Sequence, residues 1–308
     1  MSFSPVQAAL QGFNFLRERP QSVTLWMAAI LMLSLATAAF RGSPWAAPLG
    51  ELRDLTSIQP IDLQAVLALA PRLAPSAVLS VFLSLAGLCV IFPSMIRAQL
   101  REDGKTVLRL GMDEARMFGL FMAVVGITFV AAVLLGVVFG ILAGVTADLG
   151  IAPVFIALAG ISTFLLPVFV GIRLCLGAPL ALDTHHLDLR ASWKLTRGIF
   201  WRLVAGLLLA CLLCLLVWVA ATLLVMSVLA VIALVGGQGW DAVTGWLLPA
   251  GPSLAEQFAP GPLVRELIDS ALSAVLGCIL AGVLVHAYRH RQAVLAKPEA
   301  AEPTPSEA

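Results

Sequence analysis

Four polar side chains close together in the middle of the sequence have the chemistry to bind a divalent metal or to shuttle protons. They are Asp183, His185, His186 and Asp188, and carboxylates and imidazoles serve both purposes in proteins. Adjacent His185 and His186 point in different directions, however, and the surrounding residues have the composition of a turn. We therefore expect a solvated turn at the entry to a helix, with Asp183 or Thr184 as its N-cap, and metal binding is the alternative.

A fifth candidate, Arg173, ends a long apolar run in the sequence VGIRLCLGAP. A charge at the end of an apolar run can extend its side chain to the membrane interface and act as an anchor. The alternative is that Arg173 faces neighbouring helices and contacts a phospholipid phosphate or a carboxylate of the turn at residues 183–188. Pro179, a few residues further on, is expected to bend the chain.

The segment from Asp183 to Leu203 predicts an amphipathic helix at a membrane interface. Three cations recur at i, i+4 and i+7: Arg190, Lys194 and Arg197. A neighbouring stripe is apolar and aromatic: Leu189, Trp193 and Phe200. Such a helix draws anionic lipid to its basic side, while its aromatic residues set its depth. The residues expected to contact lipid or a partner protein are Arg173, Arg190, Trp193, Lys194, Arg197, Phe200, Trp201 and Arg202.

The composition is that of a membrane protein. Hydrophobic residues make up 60% of the 308 residues and charged residues 12%, about half the charged fraction of a soluble domain. The five cysteines lie in or beside apolar runs and are expected to be packing residues. No Walker A, dinucleotide-binding, GxSxG or HExxH pattern is present. We therefore assign no catalytic residue, leave enzymatic activity uncertain but disfavoured, and expect no cofactor and no nucleic-acid partner.

The apolar runs predict an all-α, polytopic membrane protein with six transmembrane helices. The predicted spans are residues 23–40, 73–96, 117–147, 149–172, 203–235 and 270–288. They form one domain over residues 1–296, and a disordered cytoplasmic tail follows at 297–308. Cytoplasmic interfacial amphipathic helices are expected before the first, third and fifth spans. Residues 41–72 and 236–269 are expected to be outer loops, the former with a short helix at 61–70.

The third span contains the pattern GxxxGxxxG, formed by Gly136, Gly140 and Gly144. Small residues at this spacing expose a strip of helix backbone to which another helix can pack closely. The strip is predicted either to pack against another span of the same chain or to mediate dimerisation. The central parts of the spans lack Asp, Glu, Lys, Arg and His, which argues against an ion-coupled transporter or a proton pump.

The distribution of cations predicts the orientation. With the N-terminus inside, the outer segments hold only Arg41, Arg53, Arg72 and Arg265, and the other 15 of the 19 Lys and Arg residues lie inside. This bias favours cytoplasmic N- and C-termini. The sequence before the first span includes Arg17, Glu18 and Arg19 and has no cleavage signal, so we expect the span to be retained.

One stretch carries a family pattern: an Arg-Leu pair, a Pro shortly after it, and SWxLTxGxFWR before a long span. Its residues here are Arg173, Leu174, Pro179, Ser192, Trp193, Leu195, Thr196, Gly198, Phe200, Trp201 and Arg202. The stretch resembles the membrane region named after bacterial glycerophosphodiester phosphodiesterases, which also occurs in stand-alone multi-pass proteins. The resemblance implies a multi-pass membrane architecture. It does not imply phosphodiesterase activity, because the family's catalytic His-Arg-Gly motif is missing: His290 and Arg291 are followed by Gln292.

These observations favour a non-enzymatic, multi-pass protein of the bacterial inner membrane that contacts anionic phospholipids or partner proteins through a basic cytoplasmic face. The partners expected are membrane phospholipids, with other membrane proteins or a second copy of the chain as further partners. One alternative is a transporter or lipid-handling permease. Another is an integral-membrane enzyme acting on lipid headgroups, which would require Arg173 and the four polar side chains at 183–188 to converge.

Overall fold

The computed structural model describes residues 4–57, 63–101, 111–236 and 254–295, and this part of the chain is all-α. Its helices are α1 (Pro5–Glu18), α2 (Pro20–Arg41), α3 (Ala47–Ser57), α4 (Leu63–Leu100), α5 (Met112–Val145), α6 (Ala152–Leu174), α7 (Gly177–Thr184), α8 (Leu189–Thr196), α9 (Phe200–Val235), α10 (Leu254–Gln257) and α11 (Pro260–Leu295). The all-α fold predicted from the sequence is thus confirmed.

Six segments of the described chain are long and apolar enough to cross a membrane. They are Pro20–Arg41, Ala68–Leu100, Met112–Val145, Ala152–Thr184, Phe200–Val235 and Pro260–Leu295. Each overlaps one of the six predicted spans, and several helices extend well beyond them. The predicted spans end where the side chains become polar. The helices can continue further into water, because the hydrogen bonds of a helical backbone are internal.

This difference corrects the predictions for two loops and one interfacial helix. Much of residues 41–72 is helical, because it contains α3 and the first turns of α4. α4 includes residues 63–70 of the helix expected at 61–70, while residues 58–62 lie outside the described chain. α11 begins at Pro260, ten residues before the predicted sixth span, while residues 237–253 lie outside the described chain. An interfacial helix was expected before the third span. Its described part is the first turn of α5, and residues 102–110 lie outside the described chain.

The chain divides into two compact units. Unit 1 comprises Met1–Phe13, Pro93–Ala210 and Leu280–Ala308, and unit 2 comprises Asn14–Phe92 and Cys211–Ile279. In unit 2, Trp26 is fully buried and its ring stacks on Phe15 at 5.8 Å between centroids. Arg41 pairs with Glu266 in the same unit, with 3.1 Å between Nη2 and Oε1.

In unit 1, α5 and α6 form a helical hairpin through a short turn at Ala147–Leu149. Gly150 closes this turn with φ of +71°, a left-handed conformation that glycine adopts without strain. The turn contains Asp148, the one residue between the predicted third and fourth spans. A Cβ atom added at Gly136, Gly140 or Gly144 would meet no described atom within 4 Å. The predicted packing of this strip within the chain is thus not found in the described residues, and dimerisation stays a prediction.

A close backbone approach in unit 1 joins α1 to α11. A Cβ atom on Gly282 would lie 2.6 Å from the backbone nitrogen of Gly12 and 2.9 Å from its Cα. Close by, His286 Nδ1 and Gln11 Oε1 share a hydrogen bond of 2.9 Å. Glycine at position 282 therefore allows the N-terminal helix to lie directly against α11.

We expect Gly282→Ala to separate α1 from α11 and to lower the free energy of unfolding by about 1–3 kcal/mol, the usual cost of overpacking. The measurement is the thermal unfolding of the detergent-solubilised protein. Gly160→Ala is the matched control, because this glycine also lies within a helix, faces open space and is not part of the GxxxGxxxG strip. Equal unfolding temperatures for the two variants would contradict the prediction.

Candidate functional site

A buried ion cluster joins the end of α4 to the start of α5. Arg97 Nη2 donates a hydrogen bond to Glu114 Oε1 at 2.8 Å and lies 3.5 Å from Asp113 Oδ2. Glu114 is only 6% exposed, and its Oε2 accepts a hydrogen bond from the Gly111 backbone nitrogen at 2.9 Å. The glutamate therefore closes the first turn of α5 and neutralises Arg97 at the same time.

Asp113 extends this cluster to α7. Its Oδ1 accepts a hydrogen bond from Arg116 Nη1 at 2.6 Å and lies 3.1 Å from His185 Nδ1. His185 ends α7 in the left-handed conformation, with φ of +57°. The sequence predicts only an interfacial amphipathic helix before the third span, and this cluster was not predicted. The signal was the acidic pair at the start of an apolar helix, which is typical of a helix N-terminus.

A second polar cluster holds the end of α11. Tyr288 donates its hydroxyl to Asp183 Oδ2 at 2.7 Å, and Gln292 Nε2 donates to the same oxygen at 2.9 Å. Arg289 Nη2 donates to the carbonyl oxygens of Gln99 and Leu100, each at 3.0 Å. These carbonyls end α4, so Arg289 satisfies acceptors that the helix itself leaves unpaired.

The predicted amphipathic helix is shorter than expected. Its N-cap is Asp188, which accepts a hydrogen bond from the Ala191 backbone nitrogen at 2.9 Å, so the prediction of Asp183 or Thr184 was wrong. α8 ends at Thr196, and Gly198 turns the chain with φ of +92° before α9 begins at Phe200. Arg197 and Phe200 therefore do not continue the two stripes of α8, because the helical register is broken between them.

The bend expected at Pro179 also lies elsewhere. α6 ends at Leu174, and the chain turns at Cys175 and Leu176, so that Pro179 falls in the first turn of α7. Proline is readily accommodated in the first turn of a helix, where its missing N–H would have no helical partner.

α8 is docked against the end of α6 by hydroxyl groups. Ser192 Oγ and Thr196 Oγ1 lie 3.5 and 3.3 Å from the carbonyl oxygen of Arg173, and both residues are fully buried. The Thr196 hydroxyl has a nearer acceptor within α8, the carbonyl oxygen of Trp193 at 3.0 Å. Gly177 makes room for the Ser192 contact, because a Cβ atom there would lie 3.3 Å from Ser192 Oγ. Next to Thr196, Arg291 Nε donates to the carbonyl of Leu195 at 3.0 Å.

Docking of α8 encloses the Arg173 guanidinium in aromatic rings. Its Cζ lies 4.6 Å from the ring centroid of Phe200, 5.1 Å from that of Trp193 and 5.5 Å from that of Phe169. We call Arg173 with these three residues the aromatic cage. Arg173 Nε is buried and has no hydrogen-bond partner among the described residues. The carboxylate contact considered for Arg173 is not found there.

The basic-aromatic segment, residues 189–202, carries four exposed cations: Arg190, Lys194, Arg197 and Arg202. Among the described residues, none of the four forms a hydrogen bond or an ion pair. Trp193 is 41% exposed and Trp201 is 78% exposed, so aromatic rings accompany the cations on this segment. Of the sequence-predicted contact residues, only Arg173 and Phe200 are partly buried.

The polar side chains at 183–188 do not form a common site. Asp183 contacts Tyr288 and Gln292, His185 contacts Asp113, and Asp188 caps α8. Within the described ranges, no group of three or more His, Cys, Asp or Glu side chains is placed to hold a metal ion. The convergence required for an enzymatic site is therefore absent from the contacts of these residues.

The fold and this arrangement define a class: an all-α chain with six candidate membrane spans and a basic-aromatic segment between the fourth and fifth of them. No family model matches the chain, and neither a curated protein nor a solved structure is significantly similar to it. The resemblance to the phosphodiesterase-associated membrane region accordingly stays a prediction.

We expect Arg97→Met to lower the free energy of unfolding by about 3–5 kcal/mol, because it leaves the buried Glu114 carboxylate without its cation. The double variant Arg97→Met with Glu114→Gln should recover much of this loss, since the amide keeps an acceptor for the Gly111 nitrogen and carries no charge. Chemical unfolding in detergent micelles measures both. A double variant as unstable as the single one would show that an unpaired charge is not the cause.

Proposed function

We propose that the chain is a non-enzymatic, multi-pass protein of the bacterial inner membrane that binds anionic phospholipid headgroups through the basic-aromatic segment. Both termini are cytoplasmic in this proposal, in accordance with the excess of Lys and Arg in the corresponding segments. The single observation that carries it is the set of four exposed cations without a counter-ion among the described residues: Arg190, Lys194, Arg197 and Arg202.

The acidic residues of unit 1 explain why these cations are available. Its described carboxylates are Asp113, Glu114, Asp148, Asp183 and Asp188. Four of them are engaged by Arg97, Arg116, His185, Tyr288, Gln292 and backbone groups. The fifth, Asp148, lies in the turn before α6, about 30 Å along that helix from Arg173 at 1.5 Å per residue. Among the described residues of unit 1, therefore, no carboxylate pairs with the segment, which is open to lipid phosphates and acidic headgroups.

The aromatic residues support an interfacial position. Tryptophan is enriched where the bilayer core meets the headgroups, because its ring is apolar and its N–H is polar. Trp201 is 78% exposed within the first turn of α9, a candidate span. A tryptophan exposed at the start of a span is typical of such a belt, and it would hold the cations at headgroup depth.

The membrane test compares two double variants that each remove two exposed cations. Arg190→Gln with Lys194→Gln removes unpaired cations of α8, whereas Arg41→Gln with Arg265→Gln removes cations that pair with Glu266 and Asp269. Each cation near an anionic surface contributes about 1 kcal/mol, so the first variant should bind anionic phospholipid about thirtyfold more weakly. The second should bind it as the unaltered protein does.

Native mass spectrometry of the gently extracted proteins measures this difference as the fraction that retains anionic phospholipid. The loss should be larger when Arg197 and Arg202 are also changed to Gln, and smaller at high salt, which screens exposed charges. Equal retention by both double variants would overturn the proposed function.

A further inference from the structure

The aromatic cage contains a cation whose charge the protein itself does not neutralise. Arg173 is partly buried, and its guanidinium makes no hydrogen bond or ion pair with a described residue. Partly buried charges in proteins are normally paired, because removing an ion from water without a partner is costly. The rings of Phe169, Trp193 and Phe200 repay part of this cost through cation–π attraction.

Aromatic rings cannot accept the in-plane N–H groups of a guanidinium as a carboxylate or phosphate does. Arginine presents these donors in a fixed fork that matches two oxygens of one phosphate. Because the rings hold the Arg173 group in place, a phosphate that binds it would meet a donor already fixed in position. The two terminal nitrogens of Arg173, which unlike Nε are not buried, are the donors that such a phosphate would reach.

The position of Arg173 indicates where this phosphate comes from. It lies at the end of α6, directly after the apolar residues of a candidate span, and the cage is completed by the first residue of α9, another candidate span. At the boundary between bilayer core and headgroups, the abundant anion is the phosphodiester that anionic and zwitterionic phospholipids share.

We propose that Arg173 and its aromatic cage form a seat for one phosphate group, occupied by the phosphodiester of a single bound phospholipid. This inference rests on the proposed function and deepens it, because the seat and the four exposed cations recognise different chemical groups. The four exposed cations favour lipids with a net negative charge. The seat binds the phosphate group itself and therefore retains one phospholipid whatever the charge of its headgroup.

The experiment reconstitutes the unaltered protein and two variants in nanodiscs of either zwitterionic or anionic phospholipid. Each is then delipidated stepwise in detergent, and native mass spectrometry follows the last lipid retained. Arg173→Gln should lose that lipid at least tenfold more readily from both kinds of nanodisc. Arg190→Gln with Lys194→Gln should keep it in zwitterionic lipid, although its preference for anionic lipid is reduced.

A third variant guards against loss of folding in Arg173→Gln. Phe200→Leu keeps the cation but removes one ring of the cage, so it should hold the last lipid less tightly than the unaltered protein does. Unfolding temperatures of all variants are measured alongside. Inorganic phosphate is titrated against the delipidated protein, and a mass increment lost with Arg173→Gln would show that the seat also takes free phosphate.

The outcomes separate this inference from the proposed function. An unaltered protein that retains no phospholipid and binds no phosphate would overturn the seat. So would variants Arg173→Gln and Phe200→Leu that retain the last lipid as well as the unaltered protein does. Lipid retained through Arg173, with no change in anionic preference on removing Arg190 and Lys194, would leave the seat standing and refute the proposed function.

Discussion

The ion pair between Arg97 and Glu114 is the interaction on which the polar part of unit 1 depends. Both side chains are largely removed from water, and they join the last turns of α4 to the first turn of α5. Glu114 at the same time binds the Gly111 nitrogen, and its neighbour Asp113 reaches Arg116 and His185. One acidic pair therefore fixes the start of α5, the end of α4 and the end of α7.

The contacts that each cation makes separate two groups of cations in unit 1. Arg97, Arg116, Arg289 and Arg291 have carboxylate or carbonyl partners and hold helix ends together. The cations of the basic-aromatic segment have no such partner among the described residues. A basic segment seen in sequence therefore combines two roles, and only the contacts separate the cations that stabilise the protein from those that remain available to an external anion.

Much of the fold could be predicted from sequence, because an uncharged apolar run of about 20 residues can adopt few structures. Helix ends were less accessible. The break at Gly198 was missed because the stripe of Leu189, Trp193 and Phe200 keeps helical spacing across it, and a left-handed glycine leaves no trace in that pattern. The pairing of Asp183 with Tyr288 joins residues 105 apart in sequence, and no local periodicity encodes such a contact.

The break at Gly198 gives the site its arrangement. A continuous helix from residue 189 into α9 would keep α8 on the axis of the candidate span that follows, and Ser192 and Thr196 would have to contact α6 from that axis. The turn at residues 197–199 separates the two directions, so that α8 docks on the Arg173 carbonyl while α9 continues as a span. It also brings Phe200, the first residue of α9, to the same guanidinium as Trp193 of α8. The aromatic cage thus follows from the loss of helical register that sequence periodicity could not reveal.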